Sequence, residues 1–398
     1  FFKQKTAYEI PKRDWSSDVC SSDLGAITYL SEYVLVNPFA LWSEHKTLEQ
    51  ENTPIALDRV IVSPKALITT PYHVFANQAR EILRGEDRHG SCGLGIGETQ
   101  AFADQYPALA PTWRDLEKGH EYGLKVKMHL LWSVLVQSLL PYEARLRATS
   151  DGERLWTTLM SPTEMDAFIE TTPLIRGMCQ TEDLNKPIVQ DWLENKSDVV
   201  FEGAQGVLLD ETYGFNPYTT WSSCTPKNAR LLLGGYTNRT VWGVLRAYQT
   251  RHGAGPFPTE ASELKSYLVD DFNVTNPWQE EMRFGYFDMV LAKYAVEVSG
   301  KIDKLAVHHL DHIQGRTLPV CTSYITPEGR ELFELPGSPG ELQTELLSKV
   351  RPEFITPDLD GKAFARFVAT TLGIPLGMVG FGPKTEDKEF ISKPAPEN

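Results

Sequence analysis

Apolar residues in this chain fall into short blocks separated by polar loops rich in glycine and proline. Val199, Val200 and Phe201 form one such block and read as the end of a buried strand. Beyond it Gly203 and Gly206 bracket Gln205 in a turn. Tyr33 to Pro38 and Arg59 to Pro64 predict two further short buried strands, each stopped by a proline, and Ser63-Pro64 also suits the start of the segment that follows. Helical spacing runs from Pro71 to Gly85 and dominates Pro111 to Lys196, where Ser161-Pro-Thr-Glu164 makes a capping box ahead of Met165, Phe168 and Ile169. Lys304 to Asp311 predicts a strand with a carboxylate off its end. Ser338-Pro-Gly-Glu341 opens a helix, Phe364 to Leu372 forms another closed by Gly373 and Pro375, and Met378 to Glu386 is a last strand and turn. Strands alternate with helices, nothing repeats, and no Pro/Ser-rich linker divides the chain. The expectation is a single α/β domain over 25–398, doubly wound, with a mostly parallel sheet flanked by helices.

Composition narrows the partners. The chain has 398 residues, 41% of them hydrophobic and 23% charged, enough to bury a large core, and its net charge of -14 argues against nucleic acid or an anionic membrane as the main partner. The longest apolar run, Met128 to Leu140, is interrupted by His129, Ser133, Gln137 and Ser138 and falls short of the roughly 20 residues that span a bilayer. It reads as a buried helix. Phe1 to Leu24 reads as translated adapter oligonucleotide from short-read DNA sequencing, an artefactual segment to be set aside from fold reasoning. Cys92, Cys179, Cys224 and Cys321 remain, with no Cys-x-x-Cys pair and no zinc-ligand spacing, which fits a reducing cytoplasm.

Three polar loops carry the candidate chemistry. Arg88 to Glu98 is the most glycine-rich stretch, and repeated glycines let backbone amides approach a phosphate, although such a loop can also simply turn the chain. Gln205 places an amide at the carboxyl edge of a sheet, where open α/β sheets bind ligands. Gly214, Pro217, Thr219 and Thr220 follow, and then Tyr248-Gln-Thr-Arg-His-Gly-Ala-Gly-Pro-Phe-Pro-Thr-Glu260. Together they look like the rim of one pocket.

The Phe-Glu-Gly-Ala-Gln-Gly block ending at Gly206 and the Thr-Arg-His-Gly-Ala-Gly-Pro-Phe-Pro-Thr-Glu block ending at Glu260 resemble those of adenylosuccinate synthetase. The resemblance runs from about Gly25 to the C-terminus. It implies a fold related to P-loop nucleotide-binding proteins and a GTP-dependent carbon-nitrogen ligase that joins IMP to L-aspartate with Mg²⁺. It also implies a homodimer with IMP, L-aspartate and GTP as its ligands. IMP would be held by Ser91 and Cys92, where the family has Thr-Thr, and by Gln205, Thr220 and His252. Thr275 and Arg283 would meet aspartate, in a loop nearly stripped of the family's arginines. His309 and Asp311, in the family's Lys-Leu-Asp position, would meet guanine with Gly380, Gly382 and Pro383. A carboxylate accepts two parallel bonds from guanine's N1–H and 2-amino group, which adenine cannot supply.

The sequence also departs from the family. Two basic family positions, one reaching the partner subunit's site, are Ala103 and Tyr106 here. The family's Gly-Asp-Glu-Gly-Lys-Gly-Lys and Gly-His-Asn-Ala-Gly-His-Thr segments do not occur, so no family catalytic residue or metal ligand falls on this chain, and the chain as it stands is expected to lack turnover. The altered loop leaves open a related ligase acting on another purine monophosphate such as dGMP, or a non-catalytic nucleotide-binding fragment.

Overall fold

Short apolar runs, many of them β-branched, become strands here, and at Val60–Val62 the proline two residues on, Pro64, turns the chain into the next loop. The computed structural model describes residues 26–50, 57–88, 90–268, 277–278, 281–335, 341–359 and 361–391. Their contacts divide the chain into two compact units, one ending at Glu202 and taking in 272–280, the other holding 203–271 and 281–398. Each has its own hydrophobic core, which is the physical reason the division exists despite the lack of a linker.

In the first unit, β1 (Thr28–Leu30), β3 (Val60–Val62) and β5 (Gln180–Thr181) form a parallel sheet in the order β1-β3-β5, and β2 (Leu35–Val36) pairs in parallel with β4 (Leu67–Ile68). Helices cover them: α1 (Pro38–Gln50), α2 (Pro71–Arg84), α3 (Ile96–Gln105), α4 (Glu121–Leu139), α5 (Glu143–Arg147), α6 (Ser150–Leu159), α7 (Thr163–Met178) and α8 (Ile188–Glu194). Gly85 ends α2 with φ 63, as its position after the periodic run predicts. On α4, Leu124, Met128, Leu131, Leu135 and Leu139 are buried, whereas Tyr122, Val126 and Leu130 face solvent. The run read as a buried helix is therefore buried on one face only.

The second unit is built on a four-stranded sheet in the order β15-β14-β10-β6, from β6 (Trp242–Arg246), β10 (Lys304–His308), β14 (Leu376–Gly380) and β15 (Lys388–Phe390). β6, β10 and β14 run parallel, and β15 returns antiparallel at the edge. β7 (Gln249–Arg251) pairs antiparallel with β8 (Arg283–Gly285). β9 (Phe287–Asp288) joins β11 (Val320–Ile325), which carries β12 (Glu331–Leu332) and β13 (Arg351–Ile355). Helices α9 (Lys227–Leu232), α10 (Met289–Ser299), α11 (Glu341–Leu347) and α12 (Gly361–Leu372) complete it.

Three local expectations change. Val199 to Phe201 forms no strand, and Val200 is 91% exposed. No described strand pairs with that segment. Ser63-Pro64 opens a turn closed by Ala66 N–H to Ser63 O at 3.0 Å, not a helix. The box predicted at Ser161 does not close: Pro162 takes the cap position of α7, and Ser161 Oγ accepts from Thr163 N–H at 3.3 Å.

Candidate functional site

Parallel strands release their loops at one edge, and in the second unit three neighbours do so side by side. Register places Leu245 beside Val307 and Val307 beside Val379, so the chain leaves β6, β10 and β14 at the same level. Their continuations are stitched together. Ala247 N–H donates to His308 O at 3.0 Å, Leu310 N–H to Gly380 O at 3.1 Å, and Phe381 N–H to Asp387 O at 2.9 Å. Two glycines leave room for neighbouring side chains: a Cβ on Gly380 would run into His308 Nδ1, and one on Gly382 into Asp387 Oδ2, so that side chain would have to move. His309 adopts φ 59, rare for a non-glycine residue, and swings the chain into the turn Asp311–Ile313. The two predicted guanine-contacting segments, His309 to Asp311 and Gly380 to Pro383, are thus brought together.

Within that edge, Asp311 Oδ2 lies 3.5 Å from His312 Nε2, while Asp311 Oδ1 is buried with no hydrogen-bond partner among the described residues. Tyr248, from the loop after β6, brings its hydroxyl to 3.0 Å from His312 Nδ1 with the rings near parallel. A carboxylate beside a cluster of three aromatic rings at the carboxyl edge of a parallel sheet suits a flat heterocycle carrying N–H donors. Burial and the charge of Lys388 hold the His308 imidazole below its ordinary pKa, favouring the neutral ring.

Two arginines brace the Arg251 to Glu260 loop. β7 and β8 place Arg251 opposite Arg283. Arg283 donates from Nε to Glu260 Oε1 at 3.0 Å, from Nη2 to Glu260 Oε2, and from Nη1 to the carbonyls of Gly253 at 3.1 Å and Gly255 at 3.0 Å. This fork holds the Glu260 carboxyl below the usual range. Arg251 donates to Ala254 O at 3.0 Å and Tyr218 O at 3.1 Å, and burial beside the Arg283 charge lowers its pKa to about 10. Arg283 is therefore engaged by the Arg251 to Glu260 loop, Glu260 included, and Thr275 lies outside the described residues. His252 Nδ1 is buried with no partner among the described residues, which leaves a polar atom for a ligand.

Gln205 sits exposed in the loop before Val207, with φ 55, and Cys224 Sγ approaches its Oε1 at 3.8 Å. Thr220 is tied to the same loop by its N–H to Leu209 O at 2.8 Å. The organiser is Asp210, 1% exposed: Oδ1 accepts from Thr212 N–H at 2.8 Å and Tyr213 N–H at 3.0 Å, and Oδ2 from Cys224 N–H at 2.6 Å. Sequence reading passed over Asp210, whose one signal is a lone carboxylate directly after Val207-Leu-Leu209.

In the first unit the glycine-rich loop is bolted to α2. Asn77 Nδ2 donates to Ser91 Oγ at 3.1 Å, Asn77 Oδ1 accepts from Gly95 N–H at 3.3 Å, Gln78 Nε2 donates to Gly93 O at 3.1 Å, and Glu81 accepts from Gly90 N–H at 3.3 Å. Gly95 starts α3 in the left-handed region, and a Cβ there would lie 2.7 Å from the His73 backbone. Cys92 stands half-buried beside Ser91. Ala103 is buried, and Tyr106 packs its ring 5.3 Å from Phe102, so neither offers a charge at the family's two basic positions.

No group of three or more His, Cys, Asp or Glu that could hold a metal ion occurs among the described residues, so no chemical step is assigned to Mg²⁺ on this chain. No helix among them is long and apolar enough to cross a membrane.

The family model of adenylosuccinate synthetase matches residues 21–388 and so begins four residues inside the segment read as adapter. The adenylosuccinate synthetase of Synechocystis sp. is 29% identical, covering 90% of this chain and 80% of that one. The structure of fully ligated adenylosuccinate synthetase from Plasmodium falciparum superposes with a TM-score of 0.72 at 20% identity, covering 92% of this chain and 85% of that one. Succinoaminodeoxyadenylate synthetase of cyanophage S-2L, bound to dGMP and dATP as an energy donor, superposes with a TM-score of 0.51 at 14% identity, covering 92% and 76%. With the family model spanning nearly the whole chain, this protein belongs to the adenylosuccinate synthetase family, ligases that use GTP and Mg²⁺ to join IMP and aspartate.

Proposed function

We propose that the ligase activity of the family is distributed over this chain as follows. The guanine of GTP is read by Asp311, with His309 and the Gly380, Gly382 and Pro383 turn closing around the base. Ser91, Cys92, Gln205, Thr220 and His252 hold IMP through hydroxyl, amide and imidazole groups. Thr275 is the remaining aspartate contact, and Arg283 serves that substrate through the loop it braces rather than by direct contact. The chain works as a homodimer in the cytoplasm, without nucleic-acid or membrane partners. The dimer contact is weakened or rewired, because Ala103 and Tyr106 replace the family's two basic positions.

One observation carries the nucleotide assignment: three parallel strands deliver an aromatic ring, a carboxylate and a glycine turn to one edge, with Leu310 N–H bonded to Gly380 O. Asp311→Asn tests it. An amide presents an amine to guanine's own donors and loses the charged acceptor, which lowers GTP affinity by about tenfold to a hundredfold and leaves ATP nearly unchanged. Titrating both nucleotides decides the matter, and an unchanged GTP/ATP ratio would mean that the guanine pocket lies elsewhere. Repeating the titration with IMP and with dGMP identifies the monophosphate that the Gln205 loop accepts.

A further inference from the structure

The base-recognition reading uses the Asp311 carboxylate and leaves its neighbour His312 without a role. His312 stands between two groups: Nε2 is 3.5 Å from Asp311 Oδ2, and Nδ1 is 3.0 Å from the Tyr248 hydroxyl. The Tyr248 and His312 rings lie 5.8 Å apart at 10°, and His309 meets both edge-on, at 5.2 Å from His312 and 5.8 Å from Tyr248. A phenol has one proton to give and a neutral imidazole one lone pair to receive it. Donation from Tyr248 to Nδ1 leaves the ring proton on Nε2, the atom that faces the carboxylate. Of the two neutral tautomers, the one with its proton on Nε2 faces the acceptor-only carboxylate with a donor, and it is the one in which Tyr248 O–H donates to Nδ1.

We propose that His312 is a positioning residue for base recognition, holding the Asp311 carboxylate at one rotation so that its acceptor sites stand ready for two parallel N–H donors. This rests on the guanine reading of Asp311. Among the described residues Asp311 Oδ1 has no hydrogen-bond partner, so the His312 contact is the one that orients the carboxylate. Without it the group turns about its Cβ–Cγ bond, and binding a base must first order it. Tyr248 acts one step further out, by fixing the tautomer and the plane of the His312 ring.

The test is titration of the full chain with GDP, IDP and ADP. His312→Phe keeps a flat ring against Tyr248 but removes both nitrogens. It lowers GDP affinity about tenfold, lowers IDP affinity less because inosine lacks the 2-amino donor, and leaves ADP within about twofold. His312→Gln, whose amide N–H can replace Nε2–H, recovers most of the GDP loss, and Tyr248→Phe costs about two- to threefold. In an Asp311→Asn background, His312→Phe adds nothing. Equal losses for GDP and ADP would assign the ring to general packing and overturn the proposal, as would unaltered GDP binding in His312→Phe when Asp311→Asn itself weakens it. Those outcomes leave the guanine reading standing. An absence of GDP binding, or an Asp311→Asn variant with an unchanged GDP/ADP ratio, removes that reading and the proposal with it.

Discussion

Asp288 offers a quantitative test of the second unit. It ends β9 with no exposed surface, caps α10 by accepting Leu291 N–H on Oδ1 at 3.0 Å, and receives the Tyr324 hydroxyl on Oδ2 at 2.5 Å. Desolvation raises its carboxyl pKa from 3.8 to about 6, opposed by the bonds from Tyr324, Leu291 and Val290. Because the folded value lies above the unfolded one, the folded state binds the proton more tightly. The resulting stability is fully present below about pH 4 and is lost as pH rises through about 6. A shift of about two units, at about 1.4 kcal/mol each, makes the difference on the order of 3 kcal/mol between the two ends of that window. Asp288→Asn has no proton to lose, keeps an oxygen to cap α10, and can still meet the Tyr324 hydroxyl. The variant should therefore lose most of the fall in stability between about pH 4 and about pH 8, and should equal or exceed the wild type at the upper end. With two units in the chain, the readout should be local: hydrogen exchange of the Met289–Ser299 amides at both pH values. A variant clearly less stable than wild type at about pH 8 would show that the three donors outweigh desolvation and that the carboxylate stabilises the fold as an anion.

Two further substitutions separate scaffold from site. Arg283→Lys loses the bidentate fork to Glu260 and the bonds to the Gly253 and Gly255 carbonyls. About 1 to 2 kcal/mol of stability should go in urea denaturation, discounted because the pair is partly exposed, whereas a loss of aspartate affinity at unchanged stability would assign Arg283 to the substrate instead. Gln205→Gly relieves a positive φ in an exposed loop, so stability should hold or rise by up to about 1 kcal/mol while IMP affinity falls severalfold, and unchanged IMP binding in calorimetry would remove Gln205 from the site.

What could be read from the sequence follows from where the physical signal sits. Pro71 to Gly85 was legible because a helix keeps its period, its proline start and its glycine stop within one short window. The glycines at 380 and 382 were legible for a related reason, since a turn whose neighbouring side chains crowd a Cβ leaves glycine as its visible trace. Val199 to Phe201 has the composition of a strand, but a strand is a pairing, and no described strand pairs with it.

Arg283 illustrates the same limit at the site. Its planar fork was expected to find a carboxylate, and it found Glu260, because the antiparallel bridge between Glu260 and Gly285 that brings the two together is a long-range fact with no local signature. His312 was missed for the opposite reason. A histidine one residue past an aspartate in a turn has no period and no spacing of its own, and its meaning comes from Tyr248, sixty-four positions earlier, which reaches the same edge because β6 and β10 run parallel in register. Function in this unit therefore depends on which loops the sheet sets side by side. Any residue that comes to matter only through such a neighbour needs the strand order before its chemistry can be read.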